Sequence, residues 1–242
     1  MNRQQDWITL HRVRFRDQID GTHNPLDGPR GADAWRFYPS SEIGENGLRT
    51  NISDHWGGVG IYSSRAAAEA VFAAPGDHLP FLPQTVEAWH ALVIPVSHRG
   101  GVNWRGSVQF DSAVTPAPED PGGPLVVFTS AGYLNASAKD LPRMRRFLIG
   151  IDRVLDFYAS LPGNIRRAVF DGFAVDGLDG PSVTLWRDDA AMLAAAYKLG
   201  EHRKQLNAHR VDEMFDHSSF TRGRIIASKG MWDGADPVAQ MA

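Results

Sequence analysis

One pattern occurs twice in this 242-residue chain, 124 residues apart. Gly60-Ile61-Tyr62-Ser63-Ser64-Arg65-Ala66-Ala67-Ala68 is apolar, then polar, then Ala-rich, and Thr184-Leu185-Trp186-Arg187-Asp188-Asp189-Ala190-Ala191-Met192 has the same shape. At the same offset, Gly76-Asp77-His78 meets Gly200-Glu201-His202. A strand-like run precedes each block, Ile8 to Phe15 in one half and Leu125 to Tyr133 in the other. A long-period echo of this kind points to duplication of one supersecondary unit.

The segment between the copies, Ser112 to Pro124, reads SAVTPAPEDPGGP and cannot continue a helix or a central strand. It divides the chain into an N-terminal unit (1–111), a linker (112–124) and a C-terminal unit (125–232). Residues 20–55, rich in Gly, Pro, Asn and Asp, read as a long irregular insertion in the first unit, and 233–242 as a frayed tail.

The second unit is the more legible. Leu125-Val126-Val127-Phe128 is a buried strand, and Ser137-Ala138-Lys139-Asp140 fits a capping box. From Leu141, apolar residues at Met144, Phe147, Leu148, Ile151, Val154, Leu155 and Tyr158 follow helical periodicity until Pro162-Gly163. Ile165 to Val175 and Ser182 to Arg187 read as strands joined through Asp176-Gly177-Leu178-Asp179-Gly180. Asp188 or Asp189 caps an Ala-rich helix that stops near Gly200. A helix over Glu201 to Ser218 and a strand over Arg222 to Lys229 complete the unit. The order strand, helix, strand, strand, helix, strand is the ferredoxin-like split βαβ unit. The expected fold class is therefore α+β: two ferredoxin-like repeats forming a dimeric-α+β-barrel-type fold in one chain.

Composition narrows the chemistry. A net charge of −3 speaks against nucleic-acid binding. With no Cys, disulfides, thiolate-bound metals and Cys nucleophiles are excluded. No apolar run approaches a membrane span, and the polar start Met1 to Trp7 lacks a signal-peptide apolar region, so a cytoplasmic protein is expected. There is no G-x-S-x-G, P-loop or Rossmann fingerprint.

The last predicted helix carries the main candidates. His202, Leu206, His209, Glu213 and His217 sit at offsets 0, 4, 7, 11 and 15, within roughly 80° of one another at about 100° per residue. Ala208, Val211 and Phe215 form a separate apolar stripe. One metal ion could use His209 and Glu213, or Glu213 and His217, as i,i+4 pairs, whereas a haem could take one His as axial ligand. The plain alternative is a solvated helix face rich in His. His78 repeats His202 in the first half and suits a structural role at a helix end. His90 reads as a satisfied core histidine. Asp54-His55-Trp56 and His23-Asn24 read as surface loop, and Arg143, Arg145 and Arg146 as a solvated helix face.

Pro181-Ser182-Val183-Thr184-Leu185-Trp186-Arg187-Asp188, followed by Met192, Ala196-Tyr197 and His202-Arg203, resembles the spheroidene monooxygenase family of carotenoid-oxidising enzymes. Phe128-Thr129-Ser130-Ala131, Glu213-Met214-Phe215 and Lys229-Gly230-Met231-Trp232 extend the likeness to about 110 residues, Pro124 to Gly234, and more faintly to Trp89–Val108. The resemblance implies a dimeric α+β barrel, with haem b as cofactor and His202 as its axial ligand. Related barrels host haem in peroxidases, chlorite-degrading enzymes and aldoxime dehydratases. His209, His217 and Glu213 would then be acid–base groups, and His209 or His217 a substitute ligand. The partners implied are a small-molecule organic substrate, O₂ with an electron donor, and a second copy of the chain. Ser130 stands where the family usually has Arg, His217 stands near a place where it favours Arg, and Asp171-Gly172-Phe173 departs from its acidic Gly-rich segment. A pocket so altered suits a smaller or more polar substrate than a carotenoid, as in secondary metabolism. Haem-dependent oxygenation of that substrate is the leading expectation. Haem-dependent dehydration or isomerisation is an alternative, as is a cofactor-free or non-haem-metal barrel that acts as an enzyme or a binding protein.

Overall fold

A computed structural model describes residues 4–21, 28–40, 52–100, 114–133, 138–170, 182–198 and 200–240. The first half holds strands β1 (Trp7–Asp20), β2 (Ala34–Pro39), β3 (Ile52–Tyr62) and β4 (Thr85–Gly100), with helices α1 (Arg65–Ala73) and α2 (Pro75–His78) before β4. The second half holds β5 (Leu125–Gly132), α3 (Leu141–Ala159), β6 (Asn164–Val169) and β7 (Ser182–Trp186). A short helix α4 (Asp189–Leu193), a π-helical turn (Ala194–Lys198), α5 (Gly200–Val211) and β8 (His217–Gly230) follow.

All eight strands form one antiparallel sheet in the order β2-β3-β1-β4-β8-β5-β7-β6. Counted outward from the β4–β8 seam, each half runs fourth, first, third, second in its own strand order, as ferredoxin-like units do. A bridge between Ser40 and Phe170 joins the two edges, so the sheet curls until its ends touch. This is the α+β barrel architecture expected from the sequence. The 124-residue offset persists in space. β3 ends at Tyr62 and β7 at Trp186; Ser64 caps α1 by accepting the Ala67 N–H, and Asp188 caps α4 by accepting the Ala191 N–H.

Strand alternation assigns the faces. Val126 and Phe128 of β5 enter the barrel core with Ile8, Leu10, Val93, Leu185 and Ile225. Leu125 and Val127 face outward and pack under α3 and α4 with Val154, Tyr158, Trp186 and Met192. Both faces of β5 are covered, which is why its first half, Leu125-Val126-Val127-Phe128, is apolar without a break. On the other half, α1 covers Trp7, Tyr62 and Leu92 with Ala68 and Val71. The interval 21–33 is too short for a counterpart of the 19-residue α3.

Around the first half and the tail, the structure differs from the sequence reading in three places. First, β2 and the start of β3 lie inside the stretch read as irregular. Its aromatic residues pack together: Trp35 stacks on Phe37 at 5.4 Å, and Phe37 lies tilted against Phe81 at 4.6 Å. Gly57-Gly58, just past that stretch, lies within β3. A Cβ on Gly58 would fall 1.7 Å from the Arg36 carbonyl oxygen, so the glycine marks close backbone approach rather than a turn. Gly58→Ala is expected to destabilise the fold by about 3 kcal/mol or more, the upper end of overpacking costs, measured by urea unfolding. Second, His55 lies on β3 beside Asp54, with its Nδ1 2.7 Å from Oδ1, not in a loop. Third, residues after Gly230 plug the barrel. Trp232 is buried, with its ring 5.5 Å from that of Trp89. Asp236 accepts the Trp89 indole N–H, and the Glu87 carboxylate accepts the Asp233 and Gly234 N–H groups.

The segment 114–124 is held against the sheet by Asp6, which accepts the Thr115 N–H, and by Arg224, which donates twice to Asp120. His90 is the satisfied core histidine expected, and its partner is a second one. The Nδ1 atoms of His90 and His11 lie 2.8 Å apart, and His11 Nε2 lies 2.8 Å from the Thr9 hydroxyl. No helix among the described residues is long and apolar enough to cross a membrane. His23-Asn24, Ser137, Asp171-Gly172-Phe173 and the 176–180 connection lie outside the described residues.

Candidate functional site

A cavity of about 610 Å³ lies between the outer face of β5, β7 and β8 and the inner faces of α3 and α5. Ordinary small-molecule sites span roughly 300–1,000 Å³. The sheet wall presents every second residue, Val127, Thr129 and Ala131 from β5 and Ser182, Thr184 and Trp186 from β7. Phe147, Ile151, Val154 and Tyr158 of α3 form the opposite wall with Met192, Ala196 and His202. A recess on the outer side of α3 and α5, lined by Arg153, Asp156, Glu201 and Lys204, is an open charged groove.

His202 owes its place to a break in the helix before it. The chain passes from α4 through the π-turn and re-enters α helix at Gly200, whose φ is +54°. A Cβ there would also meet the Phe157 ring at 2.9 Å, so glycine is required on two counts. The break turns the Ala196 carbonyl toward the next helix, where it lies 2.8 Å from His202 Nδ1. A carbonyl can only accept, so Nδ1 carries the proton and Nε2 keeps its lone pair. Burial lowers the His202 pKa from its ordinary value, against the opposing pull of the Ala196 carbonyl. The ring is therefore a neutral imidazole with a basic Nε2 at neutral pH. That state, with the other nitrogen bonded to a carbonyl, is the one metals bind.

His209 lies two turns further along α5 and also lines the cavity, but in the other tautomer. Its Nδ1 accepts the Met214 N–H at 3.1 Å, so in the neutral ring Nε2 carries the hydrogen. The ring stacks flat on Phe215 at 3.8 Å. His209 is thus a hydrogen-bond donor at the cavity wall, on the same side as His202.

Glu213 and His217 do not join them. The sequence placed both on one continuous helix, but α5 ends at Val211 and β8 begins at His217. The backbone of Met214 explains the end: its N–H goes to His209 and its carbonyl accepts the Tyr133 hydroxyl, so neither continues the helix. Arg143 reaches Asp140 and Asp216, and Arg146 reaches Asp212, stapling α3 to the turn; Arg143 and Arg146 are thus paired, while Arg145 is exposed. Glu213 is exposed, and His217 is half-buried on β8 opposite Gly132. Among the described residues, no three His, Asp or Glu side chains converge on a site that could hold a metal ion. A site of His209, Glu213 and His217 does not form.

The sequence reading missed Arg99 and Arg222, which line one end of the cavity. The signal for them was strand alternation: Ser97 and Arg99 lie two apart on β4, as do Phe220 and Arg222 on β8, and all four face the cavity.

No family model and no curated protein matches the chain. Solved structures do. An aldoxime dehydratase in complex with butyraldoxime is 12% identical and has a TM-score of 0.51, over 99% of this chain and 85% of that one. A presumptive monooxygenase from Fusobacterium nucleatum subsp. nucleatum is 10% identical over 98% of each chain, with a TM-score of 0.41. An anthrone oxidase-like protein is 13% identical over 96% of each, with a TM-score of 0.34. At such identities the likeness to the dehydratase concerns the fold, and it agrees with the barrel described above.

Proposed function

We propose that this chain is a haem-b-dependent oxidoreductase, a monooxygenase acting on a small or medium-sized organic substrate with O₂ and an electron donor. The observation that carries the reading is the His202–Ala196 hydrogen bond at the wall of a cofactor-sized cavity. The residues present fit a haem: a neutral imidazole with its lone pair on Nε2, and broad apolar walls from Val127, Phe147, Val154 and Phe220. When bound, haem would supply the redox chemistry.

The chain's own residues do the rest. His202 would hold the iron, and the Ala196 carbonyl fixes its tautomer and strengthens it as a donor. His209 offers its Nε2–H to a polar group of whatever the cavity holds. The apolar walls keep bulk water out, so these hydrogen bonds act at low dielectric. His202 and His209 share one helix wall, and the hydroxyls of Thr129, Ser182 and Thr184 line the sheet wall of the same cavity.

The experiment is a visible spectrum of protein expressed with a haem precursor. A Soret band is expected. His202→Ala should remove or shift it and weaken haem binding by more than the roughly 10–100-fold that losing a ligand's hydrogen-bond partner costs. His209→Ala and His217→Ala should keep it. The reverse pattern would overturn the assignment, and colourless protein that gains no band with haemin would remove the haem reading. A requirement for O₂ and a reductant then separates oxygenation from dehydration.

A further inference from the structure

We infer that Arg99 and Arg222 form a carboxylate-binding end of the cavity, so that its ligand is an anionic amphiphile with an apolar body. The inference deepens the proposed function and shares its cavity, but it does not need a haem.

The register of the two central strands places the cations. Ser97 pairs with Arg222 and Arg99 with Phe220 across β4 and β8. Arg99 and Arg222 are therefore diagonal cross-strand neighbours on one face, a separation of roughly 7–8 Å that long side chains readily close. Like charges so placed repel unless an anion lies between them. Arg222 is only partly answered. Its Nε donates to the Ser97 hydroxyl at 2.8 Å, and its Nη1 lies 3.6 Å from Asp189 Oδ1. The closer contact of Asp189, at 2.6 Å, goes to Arg224. The Arg99 side chain is exposed and makes no hydrogen bond or ion pair to a described residue. None of the described residues lining the cavity is Asp or Glu, so Asp189, shared with Arg224, is the one described carboxylate paired with either cation.

Apart from His202, Gln205 and His209 on the helix wall, the remainder of the described lining is apolar or aromatic, with hydroxyls on the sheet wall. A ligand that satisfies both parts has a long or wide apolar body and a carboxylate at one end. A guanidinium binds a carboxylate through two parallel N–H donors. Two sources supply that chemistry: the propionate groups of a bound haem, or a carboxylate on the organic substrate.

The test compares matched charged and neutral probes by quenching of tryptophan fluorescence, since Trp186 lines the cavity. Decanoic acid is set against 1-decanol, and haemin against its dimethyl ester. In the wild-type protein the carboxylate form of at least one pair should bind about tenfold or more tightly. Arg99→Gln, which breaks no bond of the fold, should reduce that preference, and Arg99→Gln/Arg222→Gln should abolish it. A preference for haemin alone identifies the carboxylates as the cofactor's; a preference for decanoate identifies a substrate's. Equal binding of both forms in both pairs would overturn the inference, as would a preference that survives the double variant. Failure of the haem reading is separate: haemin would give no Soret shift, while the decanoate preference would still be measurable.

Discussion

Replacing Trp232 by alanine is expected to cost the fold about 3–5 kcal/mol, the range for truncating a buried aromatic residue, and to lower the melting temperature by roughly 10 °C or more. Trp232 is 2% exposed and belongs to the barrel core, against which Val238 also packs. Its ring stands 5.5 Å from Trp89 and 5.9 Å from the guanidinium carbon of Arg12. Arg12 is itself buried, and burial lowers its pKa to about 10. Removing the indole thus opens a cavity and takes an aromatic face from a buried cation. Met231 is the control. It is half exposed, and Met231→Ala should stay within about ±0.5 kcal/mol. Urea unfolding of the two variants decides the matter. If Trp232→Ala is as mild as Met231→Ala, the segment after Gly230 is not a plug.

The second large effect is acid destabilisation through His11 and His90. Burial lowers both pKa values, that of His90 from 6.5 to about 4 and that of His11 well below its ordinary value. The charges of Lys229 and of the partner histidine act in the same direction. Above pH 6.5 the rings are neutral in both folded and unfolded chains, and the full stability is present. Below it the unfolded chain takes up protons that the folded chain refuses, so stability falls with pH until the folded pKa is passed. At about 1.4 kcal/mol per pKa unit, His90 alone accounts for about 3 kcal/mol lost between pH 6.5 and 4. His11 adds a loss of the same sign. Unfolding midpoints at pH 7 and pH 4.5 should fall steeply in the wild-type protein and much less in His11→Asn/His90→Asn. Parallel falls in the two proteins would show that other groups carry the effect.

Legibility followed the range of the forces involved. α3 was readable because its buried residues, Gly150, Val154 and Tyr158, recur at the helical repeat, and its end is marked by the nearby Pro162-Gly163. α4 was readable because Asp188 caps it from an adjacent position. β2 was not, because its apolar residues are supported by Phe81 and Trp56, far along the chain, and its neighbour strand carries Gly57-Gly58, which mimics a turn. The end of α5 was missed for the same reason. Helical periodicity runs on through Glu213 and His217, but Tyr133 and His209 capture the Met214 backbone and stop the helix. His202 could be named from the sequence. Its protonation could not, because that depends on a π-turn and a carbonyl six residues away that only the folded chain brings within 2.8 Å.

The amino-acid order by itself determined the duplicated α+β plan, the alternating faces of the strands and the presence of imidazoles along the last helix, since each is a matter of local period. Tertiary structure alone decided which imidazoles reach the cavity, which nitrogen of each carries a proton, that two arginines share its rim, and that the chain's last residues close the barrel. Those outcomes rest on partners distant in the chain, and a side chain's chemistry is set by the groups packed against it rather than by its neighbours in sequence.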